Sequence, residues 1–225
     1  MPAKISTMCY IHEFTERLTQ EFTVKEITAI ARDDPTKIVY LRVKAFIPVD
    51  QNIPCQIEDF NKGQVIFLKE KFIVCASWYS VNATSVKLID NMGFDDMPVI
   101  GFNFMIMGLT TKTIRNVNNQ SIIEFYVEEN LGDRELREFW VEVRHNANLR
   151  YLANKTNAIN QSMRSTTALI MGTLTYEMPV LDETSGEETS PGKHILTYFS
   201  LFYTFHLPLF SITSFHFPLS LFSPV

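Results

Sequence analysis

The chain has 225 residues, 46% of them hydrophobic and 20% charged, with a formal net charge of -5. That composition supplies a packed core and excludes a surface basic enough to hold nucleic acid all over, though not a local basic groove. Three cysteines, Cys9, Cys55 and Cys75, are odd in number and lack metal-ligand spacing, which argues against a disulfide framework and a zinc site. Reduced thiols and a start without a basic-then-apolar leader predict an intracellular protein of the nucleus or cytoplasm, not a secreted one.

Residues 10–22 carry Ile11, Phe14 and Leu18 at helical spacing and predict a short N-terminal helix. "EFTVKEITAIA" (21–31) is a weak first strand. "KIVYLRVKAFIPV" (37–49) then alternates cleanly, with Val39, Leu41, Val43 and Ala45 on one face and Tyr40, Arg42, Lys44 and Phe46 on the other. Period two over that length is a half-buried strand. Residues 63–76 and 78–89 read as two more strands, and Pro48 and Pro54 bracket the loop before them.

"NMGFDDMP" (91–98) has the Gly, Asp and Pro content of a connector, which predicts one domain over 1–92 and a second over 97–197. The second holds strands at 102–114, 121–130 and 137–145, then a helix in "NANLRYLANKTNAI". Asn146 is its expected cap, and Leu149, Leu152, Ala153 and Ile159 are its apolar face. "ALIMGTLT" (168–175) follows and nearly repeats "FMIMGLTT" (104–111), with Gly172 in the place of Gly108. After a polar loop (182–192), "KHIL" begins a last strand.

Three strands, a helix and two strands is the order of an OB-fold, a five-stranded Greek-key barrel. In that fold the first and fourth strands are neighbours, so the two glycines would relieve crowding where the barrel closes. The expected class is therefore all-β, with two tandem OB-like barrels. The first is expected to be degenerate, since it is short of strands and Glu70 stands where the second copy has Gly172.

The segments "FNFMIMGLTT", "SIIEFYVEEN", "FWVEVRH", "LRYLANKTNAI" and "TTALIMGTLTYE" together resemble the OB-folds of replication protein A and related single-strand binders. The resemblance covers about residues 98–196 and is one of pattern. It implies binding of single-stranded DNA or RNA across the second and third strands, although many such domains bind proteins instead.

Alternation selects the candidate residues on that face. Tyr126 and Trp140 fall on the outer side of the second barrel's strands, beside Arg144, with Arg115 and Arg150 at the rim. A base stacked on such a ring contributes roughly 1–3 kcal/mol. Glu124, Glu128, Glu138 and Glu142 share the face and oppose a polyanion. In the first barrel, Tyr40, Arg42 and Lys44 interleave aromatic and basic side chains, the pattern of a single-strand track, with Lys62, Lys69 and Lys71 nearby. A solvated strand face explains the same lysines, so nucleic acid and a protein partner both stand as ligands. No cofactor is expected. His12, His145 and His194 lack ligand spacing, no phosphate-cradling glycine loop or nucleophile elbow occurs, and an enzyme is the least supported class.

From His194 to Val225 the chain has no Lys, Arg, Asp or Glu. Pro208, Pro218, His206 and His216 interrupt it as a membrane span, so a tail-anchored adaptor is the minor alternative. Phe, Leu, Ser and Pro dominate residues 198–225, and their codons can be written wholly in pyrimidines. That composition predicts a gene-model artefact, such as a translated intron, with the authentic sequence diverging near Leu196–Tyr198.

Overall fold

The computed structural model describes residues 3–33, 36–75, 78–99, 102–110, 113–132, 136–160, 166–181 and 188–205. The first half consists of β1 (Ala3–Leu18), β2 (Phe22–Arg32), β3 (Ile38–Pro48), β4 (Gln56–Ile57), β5 (Val65–Cys75), β6 (Trp78–Ala83) and β7 (Ser85–Ile89). The second half runs β8 (Asn103–Thr110), β9 (Arg115–Val117), β10 (Gln120–Asn130), β11 (Leu136–Asn146), α1 (Arg150–Asn160) and β12 (Thr166–Glu177). It finishes with β13 (Val180–Leu181), β14 (Glu188–Ser190) and β15 (Lys193–Phe205).

Each half closes on itself. In the first, β1 pairs β2, β2 pairs β3, β3 runs parallel to β6, β6 pairs β5, and β5 returns to β1. The second repeats the circuit with β8, β10, β11, β15 and β12, and β11 to β15 is again the parallel pair. The molecule is all-β and OB-like in both halves, with α1 the one helix among the described residues. That helix is too short to span a membrane.

Several expectations from the sequence need correction. Residues 10–22 are not a helix, because β1 runs through most of them as a strand. Its burial alternates through Ala3, Ile5, Thr7, Cys9 and Ile11. The register with β2 then slips between Ile11 and Glu13, and this bulge shifts the inward parity, so Phe14 rests against the core. The spacing of Ile11 and Phe14 is thus a strand with a bulge imitating a helix. With β1 as its first strand, the first barrel has all five and is not short of strands. It lacks only the helix, whose place the chain fills with the loop around β4.

Glu70 also has a structural role in β5. Its buried carboxylate accepts the Thr84 hydroxyl at 2.8 Å and the Ser85 N–H, where the chain bends from β6 to β7. Burial raises its pKa against those hydrogen bonds. In α1 the buried face is Leu152, Thr156 and Ile159, whereas Leu149 is exposed because the helix starts one residue later. Asn146 does not cap the helix: its side chain accepts the N–H of Asn148 in the preceding turn.

Gly108 does relieve a close approach, but against the second strand rather than the fourth. A Cβ there would lie 3.0 Å from Phe125 Cδ1 and 3.1 Å from the Tyr126 carbonyl, across the β8–β10 closure. Opposite it, β12 pairs Ala168 with Gly108 and Gly172 with Phe104. The last strand does not stop after "KHIL". β15 stays paired with β12 to Phe205, and residues 206–225 lie outside the described ones.

The barrels meet through β1 and β8, which pair antiparallel from Ala3↔Ile106 to Ser6↔Asn103. Aromatic rings fill the space behind this seam. Phe72 of the first barrel lies 4.8 Å from Phe104 and 6.0 Å from Phe139 of the second, and Tyr79 lies 5.4 Å from Phe104. Burying rings of this size drives the association, and their tilted packing adds to it. One continuous core therefore runs through both barrels.

Candidate nucleic-acid interface

On β10 and β11 the inward residues Phe125, Val127, Phe139, Val141 and Val143 are buried, and Tyr126 and Trp140 stand outside. They are direct cross-strand partners, ring centroids 5.3 Å apart and planes at 56°. Trp140 is half exposed. The Tyr126 hydroxyl donates to Glu138 at 2.7 Å. That hydrogen bond, with smaller contributions from desolvation and the charges of Glu138 and Glu128, pushes the phenol up to about 12.

Arg144 is less available than its place on this face suggests. Its Nε donates to Glu142 at 2.5 Å, and Nη1 and Nη2 donate to the two oxygens of Glu177 at 3.1 and 3.4 Å. Lys193 donates to Glu142 at 3.2 Å, and Arg115 donates to Glu124 at 3.0 Å. Burial raises the Glu142 carboxyl, but the hydrogen bonds from Arg144 and Lys193 outweigh it and hold the group below its ordinary value. Three cations thus meet three carboxylates here, and Glu138 on the same face holds the Tyr126 hydroxyl. Of the rim arginines, Arg115 belongs to this network and Arg150 opens α1.

The first barrel is arranged differently. Tyr40, Arg42, Lys44 and Phe46 project from β3, all exposed, while Leu41, Val43 and Ala45 are buried. The parallel register Leu41↔Tyr79 sets Trp78 of β6 beside Tyr40 and Arg42. The Arg42 guanidinium lies 4.6 Å from the Trp78 ring centre, a cation–π contact that fixes both groups without cancelling the charge. Lys44 and Glu26 are 3.9 Å apart with both side chains half exposed, a weak pair by distance and solvation. A groove of about 590 Å³ runs along this face, and Leu131 and Arg137 of the second barrel form one side of it. Of the other lysines, Lys71 turns to the buried Glu129 at 3.4 Å, while Lys62 and Lys69 are exposed outside the groove lining.

All six residues expected to form a site are therefore on outer strand faces, in two separate groups. Arg42 and Lys44 line the first-barrel groove with Tyr40 beside it, and Glu13 and Glu26 line it too; Tyr126, Trp140 and Arg144 make an aromatic pair beside a network of paired charges. Trp78 and Arg137 were not among the expected residues. The parallel pairing of third and fifth strands, inherent in the fold, is the signal that would have brought Trp78 next to Tyr40. Among the described residues no cluster of three or more His, Cys, Asp or Glu could hold a metal ion. The Asp95–Asp96 pair serves the connector: Asp95 lies 3.7 Å from Arg32, and Asp96 accepts the Gly93 N–H at 3.3 Å.

A scan of the sequence against known protein families finds no match, and no curated protein matches it by sequence. Solved structures do. A deletion mutant of the single-stranded DNA binding protein from Thermus aquaticus aligns with 93% of this chain and 98% of its own, at 12% identity and a TM-score of 0.54. The wild-type form of that protein aligns with 93% of this chain and 96% of its own, at 12% identity and a TM-score of 0.52. Neither barrel alone could supply that coverage, so the likeness extends over the pair. By fold, this chain is similar to a bacterial single-stranded DNA binding protein through both of its OB-like barrels.

Proposed function

We propose that this protein is a non-catalytic binder of single-stranded nucleic acid that takes the strand along the β3 face of its first barrel. The observation that carries the reading is the groove holding Arg42, Lys44 and Trp78, with Tyr40 beside it and Arg137 reaching in from the second barrel. Cations there meet phosphates, and ring faces stack unpaired bases of any sequence. The Thermus aquaticus neighbours, named as single-stranded DNA binding proteins, support this reading. It carries the finer resemblance of the second barrel to replication protein A-type domains and implies an intracellular site of action, nucleus or cytoplasm.

Tyr126 and Trp140 extend the strand's path under this reading, while Arg144 contributes little charge as long as Glu177 holds it. A second reading rests on that neutralisation. A half-exposed tryptophan rimmed by Glu128 and Glu138 also suits a basic protein partner, and the second barrel's face would then be the docking surface.

The test is an anisotropy titration of the full chain with a labelled strand of about 30 nucleotides, which covers two barrels at about 4–16 nucleotides each. Duplex of the same sequence is the control. Micromolar or tighter binding of the single strand, with little binding of duplex, is the expected result. Equal affinity for both, or none for either, contradicts it.

A further inference from the structure

Between the barrels, next to the β3 groove, lies a cleft of about 230 Å³. Tyr40 and Trp78 form its first-barrel wall, and Tyr176, Met178 and His194 its second-barrel wall. Trp78 lines both this cleft and the groove, so a strand in the groove passes its mouth. Tyr176 and His194 are cross-strand partners on β12 and β15, with ring centres 4.9 Å apart. His194 also meets Tyr79, another residue of the cleft, at 6.4 Å.

Two features set this cleft apart from an ordinary crevice between domains. Nδ1 of His194 is shut off from solvent and has no hydrogen-bond partner within the fold, which is uncommon for a buried polar atom. Burial brings the imidazole down to about 4, so at neutral pH the ring is uncharged and offers one donor and one acceptor. The second feature is Gly192. A Cβ there would run into the Tyr176 hydroxyl and come within 2.8 Å of Cζ, so only glycine leaves room for that ring in its present position. At the rim, Lys37 pairs with Asp33 at 3.1 Å and remains half exposed, within reach of a phosphate at the mouth.

The lining specifies the occupant. Flat rings on both walls favour a planar guest, and liquid water's share of about 30 Å³ per molecule makes the space several waters large, enough for one heterocycle. A neutral imidazole favours a guest with a hydrogen-bonding edge over a purely apolar one. We propose that the cleft between the barrels receives one unstacked nucleobase of the bound strand, held between the first-barrel rings Tyr40 and Trp78 and the second-barrel rings Tyr176 and His194. The inference rests on the single-strand reading above and adds to it a site that depends on both barrels.

The test pairs variants of the full chain with strands lacking one base. Tyr176→Ala is expected to weaken binding of a 30-nucleotide strand by about 5- to 150-fold, the range one stacked base supplies. The salt dependence should stay unchanged, since no phosphate contact is lost. Scanning an abasic site along a strand of fixed register should find one position that weakens wild-type binding similarly and has no further effect on Tyr176→Ala. Gly192→Ala, which displaces the same ring, should behave likewise. If Tyr176→Ala does not fold, Tyr176→Leu keeps the bulk and removes the flat face. Arg42→Ala, run in parallel, tests the groove. Binding lost with Arg42→Ala but untouched by the Tyr176 and Gly192 variants overturns the cleft and leaves the groove standing. No strand binding by the wild-type chain overturns both.

Discussion

The buried carboxylate of Glu129 accepts the backbone N–H of Ala3 at 2.6 Å, so a side chain of the second barrel holds the first strand of the first. Glu129 also faces Lys71 at 3.4 Å, and its own side chain is only 3% exposed. Removing it strands a buried N–H at the seam where β1 pairs with β8 of the other barrel. Glu129→Ala is therefore predicted to lower unfolding stability by about 1–3 kcal/mol, the usual penalty for an orphaned buried donor. Chemical denaturation measures it; an unchanged midpoint would show that the β1–β8 pairing needs no such contact.

Trp78 and Trp140 offer a comparison of the two faces. Trp78→Ala removes a stacking ring and the partner that orients Arg42, whereas Trp140→Ala removes a ring from a face whose cations are already paired. Both variants are predicted to bind single strands more weakly, each by roughly 1–3 kcal/mol if one base stacks there, with Trp78→Ala the greater loss. Tryptophan quenching in each single-tryptophan variant reports which ring the strand covers. A strand that quenches only Trp140 would reverse the assignment of the primary face.

Glu177 is predicted to act as a brake on binding. Glu177→Gln removes one of the carboxylates that hold Arg144 and leaves the guanidinium with Glu142 alone. Affinity for a single strand should rise. The slope of log affinity against log salt should steepen by about 0.7 if Arg144 then neutralises one phosphate. An unchanged slope would place the strand away from the β10–β11 face.

Stability is predicted to fall as the pH drops from about 6.5 toward 4. His194 is lowered from 6.5 to about 4 by burial, and His145 is lowered in the same direction, chiefly by burial against a hydrogen bond with the Asn146 carbonyl. In that interval the unfolded chain binds more protons than the folded one, so stability rises with pH and is complete above 6.5. Glu70, raised by burial, works in the opposite sense in the lower part of the window. Thermal midpoints between pH 5 and 7 should therefore rise with pH in the wild type and rise less in His194→Gln. Identical pH profiles for the two would remove His194 from the explanation.

Much of the architecture is written in simple alternation. β3, β10 and β11 bury one side chain in two, and the face assignments of Tyr40, Arg42, Lys44, Tyr126 and Trp140 follow from that alone. β1 was illegible because one bulge after Ile11 breaks the period, and three partners, β2, β5 and β8, draw on different stretches of the strand. Charge was harder to read than shape. Arg144 is close in sequence to Glu142 but distant from Glu177 and Lys193, and the β11–β15 and β12–β15 pairings together bring those side chains to it. The cleft between the barrels was equally hidden, because its walls come from β3, β6, β12 and β15, and no local pattern links them.

The most direct measurement is the affinity of the full wild-type chain for a 30-nucleotide single strand across a range of salt, repeated with Arg42→Ala. Binding that weakens steeply with salt, and a variant that binds more weakly with a slope shallower by about 0.7, would mean that phosphates lie in the β3 groove. Binding that ignores salt, or an Arg42→Ala variant indistinguishable from wild type, would contradict a single-strand track on the first barrel.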